Sequence, residues 1–127
     1  MNYAEVDDLI ARYGEDEIIQ HTNTLGSGIV IDSVARTALD DAQAEIDGYL
    51  GVRYQLPLPM VPALIERVCC AIARYRLWED LASERVRQDF EDARRTLEAM
   101  ASGKVTLGLP SNLPQGSQPV PSLAAAL

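Results

Sequence analysis

Apolar residues recur at intervals of three and four over most of the first hundred positions, the period of helices that bury one face. Val6, Leu9, Ile10 and Tyr13 predict a short first helix, and Gly14 follows where a left-handed cap would stop it. Glu15, Asp16 and Glu17 place three carboxylates where a second short turn would begin, next to the partial positive charge of a helix N-terminus. Ile18 and Ile19 give that turn something to bury. Residues 22–31, with Gly26-Ser27-Gly28, read as an exposed loop. Asp32 is then a credible N-cap for a long helix whose buried face is Ala35, Ala38, Leu39, Ala42, Ile46, Tyr49 and Leu50.

A proline hinge follows. Leu56-Pro57-Leu58-Pro59 predicts a stiff extended bridge, and Pro62 opens the next helix at a position where its missing N–H costs little. Val61, Leu64, Ile65, Val68, Cys69, Ile72 and Tyr75 form a wide apolar stripe, and Leu77, Trp78 and Leu81 add a second contact face. A helix apolar over so much of its circumference is the central one, with Arg67, Arg74 and Arg76 as its polar outlets. Val86, Phe90, Ala93, Leu97 and Met100 mark a last amphipathic helix, with Arg85 to Asp89 and Glu91 to Arg95 as expected i,i+4 ion pairs. Gly103 ends it. Beyond lie Pro110, Pro114, Pro119 and Pro121, which forbid regular helix, yet Val105, Leu107 and Leu109 alternate with Thr106 and Gly108 at the period of a short strand. The fold class is therefore all-α: a compact bundle of about four helices with an extended, strand-like, proline-rich C-terminal tail.

Charge narrows the function. The chain of 127 residues carries a formal −8, unevenly placed. Residues 1–51 hold 11 acidic and 2 basic side chains, residues 52–102 hold 8 of each, and residues 103–127 hold one lysine. Such a surface repels polyanions, because tight nucleic-acid binding draws on basic groups that release phosphate counterions. Asp40, Asp41, Glu45 and Asp47 crowd the polar face of the long helix with like charge and little compensation. Adjacent Cys69 and Cys70 diverge by about 100° around a helix, so they read as small packing residues in a reducing compartment. The N-terminus lacks a basic segment followed by an apolar one, and no run approaches the roughly 18 apolar residues of a membrane span. A soluble protein made in the cytoplasm is expected.

Little chemistry is offered. His21 is the sole histidine and reads as a loop residue, with no nucleophile in a recognisable context. Gly26-Ser27-Gly28 lacks the Gly-Lys-Ser/Thr ending of a phosphate loop. The acidic set of the long helix has no calcium-loop spacing and reads as a solvated face. Arg74, Arg76, Arg85, Arg87, Arg94 and Arg95 are interleaved with Glu79, Asp80, Glu84, Asp89, Glu91 and Asp92, so their local field nearly cancels. Tyr75 and Trp78 read as core rather than as stacking platforms. No catalytic residue, metal or cofactor is expected.

Several words of the sequence carry a resemblance. Tyr3-Ala4-Glu5-Val6-Asp7-Asp8-Leu9-Ile10-Ala11-Arg12-Tyr13-Gly14, Ala44-Glu45-Ile46-Asp47-Gly48-Tyr49-Leu50, Tyr54-Gln55-Leu56-Pro57-Leu58, Ile72-Ala73-Arg74-Tyr75-Arg76-Leu77 and Ala101-Ser102-Gly103-Lys104 stand in that order. Together they resemble the Mu-like phage family of small virion proteins, which is similar to the head-tail connectors of long-tailed phages. The resemblance covers residues 3 to about 109, and residues 110–127 match nothing in it. It implies a structural virion protein at the head-tail junction, an adaptor assembled as a dodecameric ring between the portal protein and a tail-side connector or tail terminator. DNA would pass through the ring without sequence-specific binding, and no membrane is involved.

On that reading residues 1–103 form the helical connector domain and residues 104–127 an extended arm. Lys104, Val105, Thr106, Leu107 and Leu109 would dock on a neighbouring subunit or the portal by strand addition. Asp40, Asp41, Glu45 and Asp47 would face the channel, where carboxylates let DNA slide and lysines would hold it. One alternative is a DNA-binding helical module for packaging or regulation, which predicts salt-sensitive binding to duplex DNA. Another is a small helical enzyme or ligand-binding domain with a pocket around Trp78 and Tyr49.

Overall fold

A computed structural model of the chain describes residues 2–23 and 25–109. Among the described residues five α-helices pack together: α1 (Val6–Tyr13), α2 (Glu15–Thr22), α3 (Asp32–Leu50), α4 (Ala63–Trp78) and α5 (Glu84–Ala101), with a 3-10 turn at Glu79–Leu81. The expected bundle of about four helices is thus one of five, because α1 and α2 are separate helices of eight residues each. Gly14, at φ 94°, is the residue that separates them, a backbone conformation that a side chain would strain.

Helices α3, α4 and α5 form an antiparallel core, and α1 and α2 lie across α3 and α4. The predicted buried faces are the observed ones for α5, where Val86, Phe90, Ala93, Leu97 and Met100 are all buried, and for α3, apart from half-buried Tyr49. On α4 burial extends over Ile65, Val68, Cys69, Cys70, Ala71, Ile72 and Ala73, as a central helix requires. Both cysteines are free and buried, and burial pushes each thiol up to about 12. The second contact face of α4 is only partly realised: Leu77 and Trp78 are half-buried, whereas Leu81 stands 76% exposed beyond the helix end.

Several local devices differ from the sequence expectation. The N-cap of α3 is Ile31, with Asp32 in the first turn. The loop before it is anchored rather than free. Thr22 and Asn23 are buried, the Thr22 hydroxyl accepts from the Ile31 N–H at 3.1 Å, and the Asn23 amide donates to the Ile29 carbonyl at 2.8 Å. A buried polar pair at the loop base satisfies backbone groups that would otherwise be stranded. On α5 the ion pairs form at i,i+3 instead of i,i+4: Glu84 with Arg87, Glu91 with Arg94 and Asp92 with Arg95. Asp89 instead turns inward toward α4.

The C-terminal strand expected over residues 105–109 does not form, and no strand is present among the described residues. Helix α5 ends in a Schellman turn: the Lys104 N–H donates to the Ala99 carbonyl at 2.8 Å and the Gly103 N–H to the Met100 carbonyl at 3.2 Å, with Gly103 at φ 84°. That turn sends the chain back across the bundle. The Leu107 N–H then donates to the Tyr54 hydroxyl at 3.1 Å, Leu107 and Leu109 pack against the core, and Gly108 at φ 74° interrupts the extended backbone. A strand needs an edge to pair with, and the helical body supplies apolar surface instead. The proline-rich part of the expected tail, from residue 110 on, lies outside the described residues.

Candidate functional site

The most organised polar cluster joins α1, α2, α4 and α5, and its centre is Arg74. This side chain is 15% exposed, so it is an internal anchor and not the polar outlet the helical pattern suggested. Its Nε and Nη2 donate to the two oxygens of Glu17 at 2.7 and 2.9 Å. Its guanidinium carbon lies 4.1 Å from the centre of the Tyr13 ring, and its Nη1 is 3.6 Å from Asp89. The Trp78 indole N–H donates to Glu17 Oε2 at 2.9 Å, and the Trp78 ring stacks on His21 with centroids 4.2 Å apart.

This geometry sets the electrostatics. Burial alone would raise the Glu17 carboxyl, but the hydrogen bonds from Arg74 and Trp78 outweigh it and hold the group below its ordinary range. His21 is held low by burial, with Glu17 opposing and Arg74 reinforcing. His21 therefore sits in α2 against an indole rather than in a loop, and its Nε2 is buried without a hydrogen-bond partner among the described residues. The cluster binds helices together. Every acidic and cationic group in it faces another member, so it presents no base and nucleophile in register. Sequence reading missed it because Glu17 and Arg74 are 57 residues apart and no local spacing links them.

Asp40, Asp41, Glu45 and Asp47 of α3 do not share one face. Helical pitch puts Asp40 and Asp47 nearly in line on one flank and Asp41 and Glu45 together on the other. On the first flank Asp40 accepts from Arg36 Nε at 3.0 Å and Asp47 accepts from the Tyr3 hydroxyl. On the second, Glu45 accepts from Arg76 Nη2 at 2.7 Å, and Asp41 lines a cavity of about 370 Å3 with His21, Val34, Thr37, Arg76 and Glu79. The crowding of like charge is thus relieved at three of the four positions, more than expected, by Arg36 of the same helix for Asp40 and by Tyr3 and Arg76 from elsewhere for Asp47 and Glu45. Asp40 and Asp41 remain exposed, while Glu45 and Asp47 are half-buried.

Of the C-terminal residues proposed to bind a partner, Lys104, Val105 and Thr106 are exposed, and Leu107 and Leu109 are half-buried against their own domain. The Trp78 pocket and Tyr49 do not come together: the cavity near Trp78 is lined by residues of α2, α3 and α4 that exclude Tyr49. Among the described residues, no group of three or more His, Cys, Asp or Glu could hold a metal ion, and no helix is long and apolar enough to cross a membrane. The arginines are largely engaged with carboxylates of the same chain: Arg12 with Glu66, Arg36 with Glu5 and Asp40, Arg74 with Glu17, Arg76 with Glu45.

The fold and its ion pairs between helices define the class, a small all-α bundle whose most organised charged cluster, around Arg74, holds its own helices together. The chain belongs to the family described as Bacteriophage Mu, Gp36, whose model matches residues 3–122. It is similar to the Mu-like prophage FluMu protein gp36 of Haemophilus influenzae, 45% identical over 108 residues that cover 84% of this chain and 76% of the relative. It is also similar to gene product J of Escherichia phage Mu, 42% identical over 113 residues that cover 87% of this chain and 79% of the relative. The family match continues past Leu109 into the segment that the resemblance in the sequence left unplaced.

Proposed function

We propose that the protein is a structural component of the phage particle, an adaptor at the head-tail junction that assembles as a dodecameric ring between the portal and a tail-side connector or terminator protein. Membership of a bacteriophage Mu family over almost the whole chain is the observation that carries this reading. The helical body supports it, because a bundle with a packed apolar core and ion pairs between its helices is a stiff building block. Exposed Asp40 and Asp41 would lie toward the channel, where like charge keeps a passing DNA duplex from sticking. Lys104, Val105 and Thr106, with the chain beyond them, would reach the neighbouring subunit or the portal.

Engagement of Arg12, Arg36, Arg74 and Arg76 by carboxylates of the same chain weighs against a DNA-gripping module, since a paired arginine has little charge to offer a phosphate. The test is direct. Purified virions should contain this protein in a fixed copy number by quantitative mass spectrometry, and electron micrographs of portal-tail complexes should place it at the junction. Intact particles lacking it would end the adaptor reading.

A further inference from the structure

Helices α4 and α5 are joined by the short connection of residues 79–83, and no residue in it is a helix breaker. Residues 63–102 contain neither Gly nor Pro. The turn is made instead by Glu79 at φ 51° and ψ −128°, Ala82 at φ −57° and ψ 126°, and Ser83 at φ −70° and ψ 169°, with Asp80 and Leu81 between them in the 3-10 turn. Glu79 is the one residue other than glycine with a positive φ among the described residues. A side chain is strained there, and glycine is the residue that ordinarily relieves the strain.

Local preference and the observed turn therefore disagree at this place. The helical spacing of α4 runs on past its end, since Leu77, Trp78 and Leu81 are placed for one face, yet Leu81 is 76% exposed. Returning Glu79, Ala82 and Ser83 to helical angles would join α4 and α5 into one helix over residues 63–101, about 58 Å long, with Leu81 one turn from Leu77. The turn persists because it lets the two helices bury each other: the Tyr75 and Phe90 rings stack with centroids 4.1 Å apart, and Arg74 Nη1 is 3.6 Å from Asp89. A straight helix keeps those contacts only where a second copy supplies the other half.

We propose that the α4–α5 connection is a strained hinge with a second, straight state, in which two copies of the chain exchange α5 and each rebuilds the Tyr75–Phe90 and Arg74–Asp89 contacts of the other. Short connections under strain invite such exchange, because the buried contacts are recovered between copies while the hinge relaxes. Against it stands the loss of one cap, the Ser83 hydroxyl that accepts from the Val86 N–H at 3.2 Å. The exchanged form is a closed pair, a different arrangement from neighbours set around a ring, and it does not rest on the adaptor reading.

The experiment uses the full chain, unfolded in urea and refolded over a range of concentrations, with monomer and dimer separated by size-exclusion chromatography. The unaltered protein should give a dimer whose share rises with the refolding concentration. Spin labels on Arg67→Cys and Arg95→Cys report the hinge, since both positions are exposed while Cys69 and Cys70 are buried. In the hairpin Arg67 shares a cavity of about 320 Å3 with Asp92 and Thr96, which flank Arg95 on α5. In the straight helix the two labels stand about 42 Å apart. With labelled chain diluted into excess unlabelled chain, the dimer should show the long distance and the monomer a short one.

Ser83→Pro suits the φ of −70° in the hairpin and breaks a helix interior, so it should fold and stay monomeric. Glu79→Gly relieves the strain in the hairpin and should lower the dimer share about tenfold or more, whereas Glu79→Ala removes the charge, keeps the strain and should not lower it. Absence of a dimer at every concentration overturns the proposal. So does a dimer that keeps the short distance, or one that Ser83→Pro or Glu79→Gly forms as readily as the unaltered protein.

Discussion

Arg74 on α4 grips Glu17 on α2 through two parallel hydrogen bonds, at 2.7 and 2.9 Å, with both side chains more than four-fifths buried. A planar guanidinium matches both carboxylate oxygens at once, a geometry that the ammonium of a lysine lacks. Arg74→Met should leave Glu17 buried without its cation and cost about 3 kcal/mol. Arg74→Lys keeps the charge and loses the fork, so about 1 kcal/mol is expected. Urea denaturation followed by circular dichroism checks both, and an Arg74→Lys variant as stable as the unaltered protein would show that the fork is unimportant.

The same cluster makes stability depend on pH. His21 in the folded chain titrates below 6.5 because burial disfavours the imidazolium, and Glu17 titrates below 4.5 because Arg74 and Trp78 hold its anion. In both cases the unfolded chain binds the proton more readily, so acidification favours unfolding. Stability should therefore begin to fall as pH drops below 6.5 and continue falling below 4.5. His21→Phe keeps a ring against Trp78 and removes the titration, so the upper part of the decline should flatten. Urea midpoints measured across this range decide it, and a variant with the same upper slope would assign that slope elsewhere.

Gly103 closes α5 at φ 84°, and the Schellman bonds around it start the return of the chain toward Tyr54. Gly103→Ala must force a β-carbon into the left-handed region, which costs about 1 kcal/mol. A fall of about 4 °C in the thermal midpoint is expected for a domain of this size. A truncation that tests the arm should end after Leu109, since a cut at Gly103 also removes Leu107 and Leu109 from the core they pack against.

Duplex DNA at low salt should show no retardation by the protein in a gel-shift assay, because a chain of formal charge −8 repels a polyanion and Arg12, Arg36, Arg74 and Arg76 are bonded to Glu66, Glu5, Glu17 and Glu45. Salt-sensitive retardation that disappears with Arg67→Glu would favour the DNA-binding module instead.

Helix positions and buried faces were legible because they are local properties. The spacing of Val86, Phe90, Ala93, Leu97 and Met100 repeats within one helix, and each of these residues is buried as its spacing indicates. Long-range partners leave no such trace. Nothing near Tyr3 announces that it would be buried, its N–H donating to Gln43 at 2.8 Å and its hydroxyl to Asp47. The i,i+4 rule proposed partners for Asp89 and Glu91; tertiary packing gave Asp89 to Arg74, and Glu91 pairs with Arg94 at i,i+3 in its own helix. Ser83, whose hydroxyl accepts from the Val86 N–H at 3.2 Å, is a helix-capping signal that local reading could have found.

By itself, then, the sequence determined the all-α class, the boundaries of most helices and their apolar faces, since periodicity and caps act within a few residues of one another. Tertiary structure decided which charges meet, that Arg74 is an internal anchor, that the acidic residues of α3 divide between two flanks, and that Leu107 and Leu109 fold back onto the bundle. These outcomes depend on distances between elements, and only packing of the whole core fixes those distances.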